Sequence, residues 1–302
     1  MGLSASSPDL TIIAGPTASG KSAHALDVAM RHNGVIINAD ASQLYAGLPI
    51  LTAQPTSTDR ARIPHELYGV WANNETATAI TWAKAATAII DQVRARGQHP
   101  VVVGGTGLYL RALITGFSPV PPVDAGERDT IRRDLAAQGL PALYDDLCRL
   151  DPTMAARLRP TDTQRIVRAL EVVVSTGRSL ADWQALPPTS PLGSLRVHKI
   201  LIDRPRDTLR ARARARLATM INDGVLTEVE ALVTAIDQGQ VRDDASVTKA
   251  LGFMALAEVV RGHQTLEWGL DQAFLQTAQY IKRQQTWFRH QMVFDTIITP
   301  KE

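Results

Sequence analysis

Eight residues near the amino end, Gly15-Pro16-Thr17-Ala18-Ser19-Gly20-Lys21-Ser22, fit the pattern G-x-x-x-x-G-K-S. That spacing suits a phosphate cradle. Glycines let backbone N–H groups turn inward around phosphate oxygens, and Lys21 brings a point charge to the outer phosphate. Ser22 offers a hydroxyl to magnesium, and the helix expected to follow aims its N-terminus at the anion. Two further segments carry groups able to act beside such a cradle. Asn38-Ala39-Asp40-Ala41-Ser42-Gln43 supplies a carboxylate at Asp40. It could hold magnesium through water, take a proton from an incoming nucleophile, or cap a turn. Gly104-Gly105-Thr106-Gly107 joins glycines that permit close backbone approach to a hydroxyl that can donate to a diphosphate oxygen. The same four residues could also form a plain tight turn.

The cradle does not decide what becomes of the phosphate. A kinase or ATPase would transfer a phosphoryl group from it. A prenyl transferase would make diphosphate the leaving group, its developing charge stabilised by the same lysine, magnesium and backbone donors.

The elements that must hold these groups follow from the apolar runs. Leu10–Ala14 reads as a strand, Ala23–Arg31 as a helix with Ala25, Leu26 and Ala29 on one side, and Val35–Ile37 as a second strand. Residues 78–96 have helical periodicity with Ile80, Ala83, Ile89 and Val93 apolar, and Gly97 stops that helix. Pro100–Val103 is a third strand. The alternation predicts a parallel sheet covered on both faces, with ligands gathered beyond the carboxyl ends of its strands. Asp40, Thr106 and the cradle are therefore expected on one edge.

The pattern changes near Phe117. Residues 118–123 carry Pro119, Pro121 and Pro122 and read as a linker, 125–186 as mostly helical, 187–193 as a second proline-rich break, and 198–202 as a strand. The fold expected is α/β: a P-loop NTPase-like parallel sheet core with C-terminal helices, from 1–116 and 197–302. A helical insertion fills 117–196.

Composition sets outer limits. Of 302 residues, 45% are apolar and 21% charged, so a folded soluble protein is expected. No apolar run is long enough to span a membrane, and the first nine residues lack the form of a secretory signal. One cysteine, Cys148, excludes an internal disulfide and a cysteine-rich zinc site, which fits a reducing, cytoplasmic setting. Net charge is only +2, but six arginines crowd 204–216, and Lys282, Arg283, Arg289 and His290 form a second basic group. The insertion adds Arg128, Arg132, Arg133, Arg157, Arg159, Arg165 and Arg168. Such asymmetry allows a local basic channel, or a set of solvated helix faces.

In order along the chain, GPTASGKS at 15–22, NADASQLYAGL at 38–48, TAQPT at 52–56, VGGTGLYLRAL at 103–113, DPTMAARLRPTDTQRIVRALEV at 151–172 and IKRQQTWFR at 281–289 resemble the tRNA dimethylallyltransferases. The resemblance implies transfer of a dimethylallyl group from dimethylallyl diphosphate to N6 of the adenosine next to the anticodon, tRNA position 37. It implies Asp40 as general base, Thr106 on the leaving oxygen, and Arg216 (alternatively Arg212) neutralising diphosphate. Magnesium would be the cofactor, held at Ser22 and Asp40. The same resemblance implies tRNA contacts by Asp40, Ala41, Ser42, Gln43, Thr106, Arg128, Gln164, Arg165, Ile166, Val167, Arg168, Lys249, Lys282 and Arg283. Partners would be the tRNA anticodon stem-loop and dimethylallyl diphosphate, and the enzyme would be a monomer. Many members have serine where Ala41 stands, glycine at Leu51 and lysine at Gln54. Those departures touch substrate contacts and leave the base and cradle intact.

An extruded adenine would need aromatic partners, for which Tyr109, Trp183, Phe253 and Trp287 are candidates, although core packing is the plainer account of each. Three other readings stand beside the family's. A small-molecule kinase predicts ATP turnover, a nucleotide-controlled RNA-binding module predicts no modified nucleoside, and prenyl transfer to free nucleotides leaves the insertion without a role.

Overall fold

The computed structural model describes residues 8–300, so the first seven residues, on which the absence of a signal partly rests, lie outside the described part. Six strands form one wholly parallel sheet: β1 (Leu10–Ala14), β2 (Gly34–Asn38), β3 (His65–Glu66), β4 (His99–Gly104), β5 (Val197–Ile202) and β6 (Thr296–Ile298). Their order is β3-β2-β4-β1-β5-β6. The chain runs from β1 past β4's place to β2 and later crosses β1 to reach β5. The crevice beyond the end of β1 is thus the switch point where such sheets bind ligands. Strands β1 and β2 are buried along their whole length, as expected where helices cover both faces.

The helices are α1 (Lys21–Arg31), α2 (Pro49–Thr52), α3 (Ser57–Arg62), α4 (Ala79–Ala95), α5 (Gly107–Ile114), α6 (Ala125–Leu150), α7 (Pro152–Ala155), α8 (Thr163–Thr176), α9 (Leu180–Gln184), α10 (Arg206–Asn222), α11 (Val225–Asp237), α12 (Phe253–Val260) and α13 (Leu266–Gln291). Helix α4 starts where Thr78 accepts from the N–H of Thr81 and the Thr81 side chain answers in a capping box. Its buried face is Trp82, Ala83, Ala86, Ile90 and Val93. Ile80, expected on that face, is instead 52% exposed, and Ile89 is only half-buried. Trp82 displaces them because its ring stacks on Tyr109 and its Nε1–H donates to the carbonyl of Asn38 at 2.8 Å. Edge strands β3 and β6, two and three residues long, are too short for an alternation to be read.

The chain divides into two compact units, one of the residues up to Ile114 and from Pro191 on, the other Thr115–Ser190. The second holds α6 to α9 around its own core of Leu143, Leu147, Met154, Ile166, Leu170 and Val172. Helix α6 is two helices joined at Gly139, where φ is +80° and Pro141 follows. Among the described residues no helix is long and apolar enough to cross a membrane.

Candidate active site

The loop from Gly15 to Gly20 links β1 to α1. Gly20 precedes the helix at φ +94°, a conformation that L side chains adopt with strain. Three basic groups brace the loop through its carbonyls: Lys21 Nζ donates to Pro16 at 3.4 Å, Arg212 Nε to Ala18 at 2.9 Å, and Arg204 Nε to Ser19 at 3.0 Å. Much of the basic run on α10 is thus spent on structure, with Arg210 and Arg214 lying over the Phe274 ring at 5.6 and 4.4 Å. The buried Ser19 hydroxyl has no hydrogen-bond partner among the described residues.

Asp40 follows β2. Its backbone is fixed by Asn38, fully buried, whose Oδ1 accepts from Asp40 N at 2.7 Å and whose Nδ2 donates to the carbonyls of Asp40 and Leu67. Asp40 Oδ1 accepts from the backbone N and hydroxyl of Ser42 at 3.1 and 2.7 Å, capping a short turn of 3-10 helix. Oδ2 has no hydrogen-bond partner among the described residues. Asp40 therefore both caps this turn through Oδ1 and lines a cavity.

Thr106 lies beyond β4. Its hydroxyl oxygen accepts from Ala41 N at 3.0 Å, which leaves its proton to be donated elsewhere. The glycines around it serve packing more than ligand approach. A Cβ on Gly104 would lie 2.1 Å from Ala39 O, on Gly105 2.2 Å from Gln284 Nε2, and on Gly107 2.3 Å from Trp287.

Two cavities open here. One, of about 280 Å³, is lined by Thr17, Lys21, Ser22, Asp40, Thr52 and Arg216, with an apolar wall including Leu51, Leu217, Met220 and Leu251. The other, of about 370 Å³, is lined by Asp40, Ala41, Ser42, Thr106, Tyr109, Lys249 and Arg283. Asp40, Ser42, Leu251 and Tyr280 belong to both. Asp40 therefore stands where a cationic chamber meets an aromatic one. Loss of hydration pushes the Lys21 ammonium down to about 8, Asp40 opposing and Arg216 assisting. Burial also lowers Arg216, against the pull of Asp40. The Tyr280 phenol is raised to about 12, first by burial and then by the charge of Asp40.

The structure thus brings Gly15–Ser22, Asp40, Thr106 and Arg216 to one edge of the sheet. Between the two arginines weighed, Arg216 reaches the chamber, donating to Thr52 O at 3.3 Å, whereas Arg212 braces the loop. Gln43 lines the cationic chamber, its amide nitrogen held by the carbonyls of Thr52 and Ala53 at 2.8 Å. Lys282 is exposed, and Arg283 lies over the Tyr280 ring at 5.5 Å.

In the second unit Gln164 and Arg165 are exposed. Arg128 and Arg168 flank the buried Glu171, at 3.6 and 3.2 Å. Ile166, expected to touch RNA, is 0% exposed inside this unit's core, and Val167 packs half-buried against it. The apolar stripe of α8 turns both away from solvent. Phe253, a candidate stacking partner, is likewise a core residue at 1% exposure. Tyr280 directly precedes the quoted IKRQQTWFR run and no spacing marks it as a site residue, whereas Gln284 lies inside that run and only its contacts with the loops depend on the fold.

A parallel sheet with a phosphate-type loop at its switch point, and two chambers sharing one carboxylate, defines a P-loop α/β protein. The chain belongs to the IPP transferase family, whose model matches residues 43–291. It is 44% identical over 297 residues to a tRNA dimethylallyltransferase of Rhodopseudomonas palustris, covering 98% of this chain and 91% of that one. A tRNA dimethylallyltransferase of Rhizobium etli is 42% identical over 93% of each chain. Among solved structures, the full-length tRNA isopentenylpyrophosphate transferase of Bacillus halodurans superposes with TM-score 0.68 at 30% identity, covering 97% of this chain and 90% of that one. A eukaryotic dimethylallyltransferase captured acting on tRNA gives TM-score 0.78 at 25% identity, over 93% and 70%.

Proposed function

We propose that this protein transfers a dimethylallyl group from dimethylallyl diphosphate to N6 of the adenosine at tRNA position 37, releasing diphosphate. The observation that carries the reading is that Asp40 borders both chambers. Diphosphate lies among Lys21, Ser22, Arg216 and the loop N–H groups, with the prenyl tail along Leu51, Leu217 and Leu251. The adenine enters between Tyr109, Thr106 and Tyr280. The N6 nitrogen attacks C1 of the prenyl group, the C1–O bond breaks with its electron pair leaving on diphosphate, and Asp40 Oδ2 takes the N6 proton. Thr106 donates to the departing oxygen, while Lys21 and Arg216 hold its charge in a site poor in water.

Ser22 and Asp40 line the chamber that holds Lys21. A hydroxyl and a carboxylate in one chamber suit magnesium, which keeps several waters and leans on diphosphate oxygens plus one or two protein groups. When bound it would neutralise leaving-group charge.

The insertion, with Gln164, Arg128, Arg165 and Arg168, grips the anticodon stem-loop through phosphates, and Lys249, Lys282 and Arg283 guide the loop. The enzyme acts as a monomer in this reading, and the exposed free thiol of Cys148 suits the cytoplasm.

The test is direct. The protein is incubated with unmodified tRNA, dimethylallyl diphosphate and magnesium, and the digested nucleosides are weighed. A gain of C5H8 on adenosine is expected. ATP turnover without that gain, in a parallel mixture with ATP added, would point to a kinase, and tRNA binding without it to an RNA-binding module.

A further inference from the structure

We propose that Gln284 is a positioning residue for this transfer, one side-chain amide that sets the spacing between the diphosphate cradle and the Thr106 loop. The inference rests on the dimethylallyl-transfer reading. Gln284, on α13, is 4% exposed. Its Oε1 accepts from both the backbone N–H and the hydroxyl of Thr17, at 2.8 and 3.2 Å, and its Nε2 donates to the carbonyl of Gly105 at 2.9 Å. The amide has only one workable orientation, because Thr17 N–H can only donate and Gly105 C=O can only accept. Gly105 has no side chain where a Cβ would strike that nitrogen at 2.2 Å.

The neighbouring Gln285 repeats the device. Its Nε2 donates to Asp203 Oδ1 and to the carbonyl of Arg204, at 2.9 and 3.0 Å, and Arg204 in turn holds Ser19 O. Two consecutive glutamines thus tie the ends of β1, β4 and β5 to one helix. Thr17 lines the cationic chamber and Thr106, next to Gly105, the aromatic one. The amide therefore spans the boundary that the reacting atoms must cross. A misplacement of about 1 Å there costs about a hundredfold in rate.

Three variants test this, each with unmodified tRNA and dimethylallyl diphosphate. Gln284→Met keeps the bulk and removes both polar ends. Gln284→Asn keeps the polarity but is too short to reach both loops. Gln284→Glu loses its donor when ionised and regains it when protonated. Met and Asn are expected to lower kcat about a hundredfold while tRNA Kd stays within about twofold. Glu should be equally slow near pH 8, its rate relative to wild type recovering about fivefold or more near pH 6 as burial favours the neutral acid. The Met ratio should stay flat over that range, and rates are taken per enzyme shown folded by thermal unfolding at each pH, so that relief of a buried charge in folding does not count as recovery. Wild-type kcat in Met or Asn, or a Glu ratio indifferent to pH, overturns the inference. Should Glu fail to fold by thermal unfolding, the kcat of Met and Asn decides. Absence of transfer by the wild-type chain would instead sink the function itself.

Discussion

Ala41 donates its backbone N–H to the hydroxyl oxygen of Thr106 at 3.0 Å, so the end of β2 and the end of β4 are held together one residue from Asp40. The bond uses one lone pair of the hydroxyl, whose proton, in reach of the Tyr280 phenol, can be donated to a leaving diphosphate. Thr106→Val should therefore lower kcat about a hundred- to a thousandfold, and Thr106→Ser should retain most activity. Steady-state transfer to tRNA reads both.

Asp40 caps its turn through Oδ1 and, in the proposed reaction, takes a proton on Oδ2, and amidation separates the two roles. Asp40→Asn keeps an acceptor for Ser42 but cannot take a proton. Transfer is expected to fall by about a hundred- to ten-thousandfold, with tRNA Kd within about twofold by filter binding. Equal loss of both would mean that the carboxylate serves only the turn.

Lys21 carries a pH signature. With its ammonium pushed down to about 8, the free protein has shed this proton at higher pH. A bound diphosphate, being anionic, draws it back. Diphosphate binding should thus take up a proton above about pH 8 and weaken as pH rises through that value. Calorimetry in two buffers of different ionisation enthalpy measures the uptake, and Lys21→Met should abolish it.

Gly107 owes its identity to Trp287, whose ring would lie 2.3 Å from any Cβ placed there. Gly107→Ala should cost about 1–3 kcal/mol of stability in denaturant unfolding, without a change in tRNA affinity beyond that caused by unfolding.

In the second unit, exposure separates RNA contact from core. Arg165→Ala and Arg168→Ala should each weaken tRNA binding and reduce the salt slope of log K by about one. Ile166→Ala, at 0% exposure, should instead cost about 2–5 kcal/mol of folding stability and leave the salt slope unchanged.

What the sequence determined by itself is what contiguous residues can determine. The strand, cradle and helix from Leu10 to Arg31 follow from apolar runs and one glycine that must turn left-handed. The order of the motifs from 15 to 289 marks the family. Tertiary structure decided the rest. Thr17 and Gln284 are 267 residues apart, and only the packing of α13 against the strand ends brings them together. The phase of α10 against the loop, which no spacing reveals, sends Arg216 into the chamber and Arg212 onto the loop's backbone. Ile80 leaves the side that its helical spacing suggested, while Ile166 sits in the core where its apolar neighbours place it and not at the RNA contact that the family resemblance implied, because burial is settled by what packs against a helix. Local rules act over a few residues, whereas a catalytic chamber is made where distant segments close on one another.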